Sequence, residues 1–176
     1  MIRIVGAEVL KLVTLPSIGL TVAMTCAITA ILGQIGSPLP YAQVGVLVLG
    51  VLAAGHEYQG GGQIRSALLA VPRRSVLVTA KFAAVTIAAG PAVLVVALLA
   101  GEPGATGRLL LDLLLAAGVA TIVRHPVGAT AILLTAYEIV VPLIVAHLPR
   151  VALPPGPVWP AAMMVTALVV VRCRDA

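Results

Sequence analysis

Residues 75–100, SVLVTAKFAAVTIAAGPAVLVVALLA, carry a single charge, Lys81, in twenty-six positions. A hydrocarbon core of about 30 Å is crossed by roughly 20 helical residues. Inside it only a helix or a closed barrel satisfies every backbone polar group. The apolar runs here are too long for barrel strands and show no period-two alternation. Five further stretches follow the same pattern, so the candidate spans are 16–35, 40–55, 75–100, 108–123, 126–147 and 158–171. The second, fourth and sixth are short. They tilt little, extend a turn into the interface or thin the bilayer locally. The expected fold is an all-α integral membrane protein of six transmembrane helices, one domain over residues 1–176.

Composition supports this reading. Of 176 residues 61% are hydrophobic and 10% charged, against about 25% charged in soluble domains. A net charge of +5 raises the question of nucleic acid. Yet only three Tyr, one Trp and one Phe are available for stacking, and none interleaves with the basic residues. The basic residues read instead as topology signals and contacts to anionic lipid. With the amino end inside, Arg3, Lys11, Arg65, Arg73, Arg74, Lys81, Arg124, Arg172 and Arg174 fall on inner segments, and only Arg108 and Arg150 on outer loops. This bias puts both termini in the cytoplasm and supports an even number of spans. Glu8 and Lys11 interrupt the first apolar stretch, which argues against a cleavable signal peptide. Cys26 and Cys173 fall at different membrane depths, so neither a disulfide nor a metal-ligand pair is expected.

Residues 1–15 read as a separate element. Ile2, Val5, Val9 and Leu12 recur at helical spacing while Arg3, Glu8 and Lys11 lie off that line, as in an amphipathic helix in the interface plane. Pro16 marks the bend into the first span; the alternative is that this segment simply begins a long first span. Gly19, Ala23 and Ala27 form a small-residue line that lets helices approach closely. It serves packing within the chain by default, or a dimer contact. No internal repeat aligns.

The densest polar cluster is HEYQGGGQIRSALLAVPRR, residues 56–74. Gly60, Gly61 and Gly62 end the preceding helix. Ile64, Leu68 and Val71 then share one face of a short amphipathic helix, stopped by Pro72, with Ser75 positioned to cap the next span. So short a helix is marginal alone. Its apolar face needs the bilayer surface, the chain's own spans or a partner. On charge alone the segment is an ordinary positive-inside loop.

The stretch EYQGGGQIRSALLAVPRRSVLVTAK resembles the first cytoplasmic loop of bacterial ABC-2 type transporter permeases. Those carry a Glu-Tyr, a glycine turn, an Arg, a Leu-Leu pair, a Pro-Arg-Arg and a Lys opening the next span. Here the matching residues are Glu57, Tyr58, Gly61, Arg65, Leu68, Leu69, Pro72, Arg73, Arg74 and Lys81. The opening AEVLKLVTLPS is similar to that family's interfacial helix, with Glu8, Lys11 and Pro16 in place. The glycine run is one residue longer than the family pattern. The outer loop LPRVALPPGPVW is short for the re-entrant helices that the family often places before its last span.

The resemblance implies the membrane subunit of an ATP-driven exporter in the bacterial plasma membrane. Residues 57–74 would be its coupling loop, with Glu57, Tyr58, Gly61, Ile64, Arg65, Leu68, Leu69, Pro72, Arg73 and Arg74 docking on a separate ATP-binding cassette subunit. It further implies a homodimer or a heterodimer with a second permease. No cofactor belongs to this chain, since ATP and Mg would bind the partner.

Motifs for other chemistry are missing. GEPGATGR has glycines but no Lys and no preceding strand, so it is not a phosphate loop, and no His-Glu-x-x-His or Gly-x-Ser-x-Gly occurs. The chain is therefore not expected to be an enzyme. His56, His125 and His147 fall near span ends, where amphipathic side chains settle. Two acids lie inside spans and are the transport-path candidates. Asp112 sits one turn after Arg108, which suggests an i,i+4 pair near the outer interface. Glu138, in TAYEIVVP, falls near mid-span, where a charge costs roughly 2.5–3.5 kcal/mol on insertion scales. It either lines a translocation path or is a protonated carboxyl bonded to a neighbouring helix. Two alternatives stay open: a proton-coupled secondary transporter using Glu138 and Asp112, and a membrane anchor or sensor that recruits a cytoplasmic protein through the same loop.

Overall fold

The computed structural model describes residues 2–56, 74–140 and 143, and every element among them is helical. The chain begins with α1, Ile2–Thr14. Leu15 is extended (φ −75°, ψ 118°), and Pro16 opens α2, Pro16–Leu32. A residue before proline is pushed out of the α region, whereas proline itself suits the first helical position. The two helices therefore meet at 66°, and the amino-terminal segment is a separate element. Val5, Val9 and Leu12 pack against the core, with α1 lying chiefly along the fourth helix. Leu10 and Val13 point outward. The amphipathic face is thus received by the protein itself.

Helix α3 is Leu39–Gly55, with proline in its first turn. Helix α4 is Arg74–Leu99 and continues through Pro91, as membrane helices tolerate when neighbours satisfy the freed carbonyl. It starts one residue before Ser75, so Ser75 lies within its first turn and is not the expected cap. The chain leaves α4 through Gly101, whose φ of +74° is left-handed. A short 3-10 turn at Pro103–Ala105 leads into α5, Thr106–Val123. Arg124 closes α5 in the left-handed region at φ 58°. His125 then caps α6, Pro126–Thr135, its Nδ1 accepting from the Gly128 amide at 3.1 Å. A π-helical turn, Ala136–Val140, extends α6.

Five helices therefore stand where the first five expected spans were placed, but fewer meet the length requirement. Two, Thr79–Leu99 and Pro103–Val123, are long and apolar enough to cross a membrane. The bent α1–α2 pair makes three if counted as one span. Leu39–Gly55 and Pro126–Ile139 are apolar but shorter. At 1.5 Å per residue a 17-residue helix such as α3 reaches only about 25 Å. Six full-length spans are thus not what the described residues provide, and the expected sixth, 158–171, lies outside them.

Parallel helices α3 and α5 form the centre of the bundle. A Cβ on Gly50 would collide with the Leu113 carbonyl oxygen and come within 2.8 Å of the Ala116 Cβ. Ala53, Ala54, Ala116, Ala117 and Ala120 are all buried around this contact. Gly45 makes a second close approach, to the Thr25 side chain of α2. Gly19, Ala23 and Ala27, expected by default to pack within the chain, are exposed on α2. In a membrane, helix association relies on such close van der Waals contact, because lipid is as apolar as the helix surfaces. Leu20, Met24, Ile28, Ile31, Ile87, Leu94, Leu98 and Ile132 face outward, an apolar surface suited to hydrocarbon and not to water.

Candidate functional site

Two regions bring together the polar groups of this otherwise apolar bundle. The first is the base of the 57–73 segment, where α3 ends and α4 begins. Lys81 is buried, and its Nζ donates to the Ala54 carbonyl oxygen at 2.8 Å. That carbonyl belongs to the last turn of α3, where helix carbonyls in general run out of intrahelical donors. A cation there also complements the negative end of the helix. His56 Nδ1 lies 3.1 Å from the Ala53 oxygen and 3.3 Å from that of Leu52. The α5–α6 turn packs beside the same end: a Cβ on Gly55 would meet the Pro126 Cβ at 3.1 Å. Lys81, His56, Arg124 and His125 therefore cluster at one end of the bundle. His56 and His125 sit at helix ends, as expected, while His147 lies outside the described residues.

Of the expected coupling residues, Glu57, Tyr58, Gly61, Ile64, Arg65, Leu68, Leu69, Pro72 and Arg73 also lie outside the described residues. Arg74 is the first residue of α4.

The second region is a buried polar cluster toward the opposite end. Asp112, on α5, is only 5% exposed. Its Oδ2 accepts from Gln43 Nε2 of α3 at 3.1 Å. Its Oδ1 accepts from the Tyr137 hydroxyl in the π turn at 2.9 Å. Arg108, one turn earlier, adds its positive charge to the neighbourhood. The Arg108–Asp112 pair expected from i,i+4 spacing is thus only part of the environment, because both carboxylate oxygens are engaged by other helices. Burying a carboxylate is costly unless its lone pairs are satisfied, and here three elements converge to satisfy them.

The other acid, Glu138, is exposed. The π turn aims Tyr137 inward and leaves its neighbour on the surface. Gln43 and Tyr137 were not singled out from the sequence. Their signal was available: an isolated amide in PYAQVGVL and a phenol beside an intramembrane acid are polar groups that must find partners in an apolar setting.

An open groove runs along the outer face of α2 and α3 between Leu20, Met24, Ile28, Tyr41, Val44 and Val48. Its walls are almost wholly apolar, and it does not reach Asp112. Among the described residues no three His, Cys, Asp or Glu side chains gather as a metal site.

The arrangement can therefore do two things. It can hold the last turn of α3 to α4 through Lys81, and it can tie α3, α5 and the end of α6 through one carboxylate. Compared with known proteins, the chain matches no protein-family model, no curated protein and no solved structure.

Proposed function

We propose that this chain is the membrane subunit of an ATP-driven exporter of the ABC-2 type. It works as a homodimer or beside a second permease, with separate ATP-binding subunits that hold ATP and Mg. In this reading six helices cross a bacterial plasma membrane, α3 and α6 as short spans, with both termini and the 57–74 loop in the cytoplasm. The observation that carries the reading is the bond from Lys81 to Ala54. The polar segment with the permease-like motif leaves α3 and rejoins α4, and the last turn of α3 is fixed to α4 two turns in from its start. Force applied to the segment reaches α3 and α4 as a unit. From α3 it passes to α5 through the backbone contact at Gly50, and from α5 to α6 through the tight turn at Arg124 and His125. Closure of the nucleotide-bound partner would thereby tilt the spans and alternate access to a path between them.

Affinity purification of the chain from mild detergent tests the reading. A co-eluting subunit with a phosphate-binding loop and ATPase activity supports it. A chain that purifies alone from its native membrane counts against it. The burial of Asp112 supports a second reading, a proton-coupled secondary transporter. In that case flux in sealed vesicles would follow an imposed proton gradient and ignore ATP.

A further inference from the structure

Helix α6 is held very differently along its length. At the loop end His125 caps it, Pro126 packs by Gly55, and Ala129 and Leu133 are buried. Beyond Thr135 the hydrogen-bond ladder widens into the π turn, a local departure from α geometry frequently found at functional sites. Glu138, Ile139 and Leu143 are exposed there. Among the described residues the turn's extensive backbone contacts are with α6 itself, and Tyr137 packs back onto the core and donates to Asp112.

We propose that the hydrogen-bond chain Tyr137–Asp112–Gln43 is a latch. It holds the Ala136–Val140 turn against α5 and α3 at the bundle end opposite the 57–73 segment, and its release opens that end during transport. The proposal rests on the transport reading above and adds the device that gates one side of it. Gln43 and Tyr137 act here as positioning residues through Asp112. Each donor occupies a different carboxylate oxygen, so the latch loosens in steps. Losing Tyr137 frees the turn from α5 while Gln43 still satisfies half the carboxylate. The carboxylate is then never stranded without a donor at the moment of opening, which would cost far more than the loss of one bond.

Leu109 provides the reporter: it is 1% exposed and lies one turn from Asp112 toward the same end. In a Cys26→Ser, Cys173→Ser background, the permease carrying Leu109→Cys would be purified into lipid nanodiscs and reacted with a polar maleimide. Tyr137→Phe keeps the ring and removes the donor, and Gln43→Leu removes the other. Each is expected to speed labelling about tenfold, the scale of one buried hydrogen bond. Hydrogen exchange at the amides of 136–140 should rise by a similar factor in Tyr137→Phe. It provides a second readout should Leu109→Cys disturb packing. Adding the ATP-binding subunit and nucleotide should speed labelling of the parent and change the already open Tyr137→Phe variant little. Unchanged labelling and exchange in both variants overturn the latch. So does a lowered unfolding temperature accompanied by a parent-like nucleotide response, because that pattern marks a purely structural contact. Fast labelling in the variants with a parent blind to nucleotide keeps the latch and rejects the ATP-driven reading instead.

Discussion

Lys81 Nζ and the Ala54 carbonyl oxygen, 27 residues apart in sequence, meet at 2.8 Å in the interior of the bundle. Both residues are buried, Ala54 at 1% and Lys81 at 8% exposure. The bond joins the last turn of α3 to the first part of α4, so the intervening segment starts and finishes on one base. A buried ammonium on a carbonyl of the last helical turn does two jobs. It completes the α3 terminus, and it stops the two helices from sliding independently.

Replacing Lys81 with Met keeps most of the stem's volume and removes the donor. The expected cost is about 1.5–3 kcal/mol, the range for a hydrogen bond to a charged group. The loss should be local: hydrogen exchange at the amides of residues 53–56 should accelerate by about tenfold or more, while those of 116–120 in α5 stay protected. Unchanged exchange at 53–56 would show that the α3 end is held by something else.

Gly50 is the tightest point of the α3–α5 contact. Gly50→Val places branched carbons against the Leu113 carbonyl and Ala116, and overpacking of this kind costs about 1–3 kcal/mol or more. Thermal unfolding in detergent should fall sharply, or the folded protein should be lost. Gly36→Ala is the matched control, since nothing lies within 4 Å of its added carbon, and it should stay within about 0.5 kcal/mol of the parent. Equal behaviour of the two variants contradicts the packing described.

Asp112→Ala leaves Gln43 and Tyr137 with partly buried donors and no acceptor. Each unsatisfied group costs about 1–3 kcal/mol, so the unfolding midpoint should drop well below that of Asp112→Asn, which retains an acceptor. If the two substitutions are equally stable, the carboxylate does not join the helices.

Glu138 is exposed, so Glu138→Gln should alter stability by less than about 0.5 kcal/mol. Its charge is then isolated as a variable. If Glu138 handles substrate, flux or substrate-stimulated ATPase activity should change in this variant while assembly with the partner stays normal. Parent-like flux at several pH values would remove Glu138 as a charged participant.

Much of the helical layout was legible because the apolar runs are long and their breaks are chemically marked. Pro16 sets the bend, Pro40 and Pro126 open helices, and the charges of the α5–α6 turn separate two runs. Span length was less legible, since a hydropathy run does not reveal where the helical ladder ends. Residues 39–55 and 126–139 are apolar on average yet form short helices. Small-residue lines were ambiguous for a related reason. Gly19, Ala23 and Ala27 share a face, but only the three-dimensional arrangement decides that Gly45 and Gly50 make the close approaches. Asp112 was readable as a polar residue needing a partner. The local rule offered Arg108, one turn away. Gln43 and Tyr137 come from 69 and 25 residues away in sequence, a pairing that no spacing rule supplies. The turn to π geometry after Thr135, which separates the fates of Tyr137 and Glu138, has no composition signal.

The most direct test of the account is assembly with the proposed ATP-binding subunit. Ile64, Arg65 and Leu68, on the segment carried by the Lys81–Ala54 base, are replaced together by Ser. The tagged chain is then purified in mild detergent alongside the parent. The account predicts that the parent retains an ATPase in stoichiometric yield. The triple variant should insert normally and lose at least about nine-tenths of it, since hot-spot residues at a docking surface carry most of its binding energy. Parent-level recovery of the ATPase with the triple variant, or no ATPase with either protein, contradicts the account.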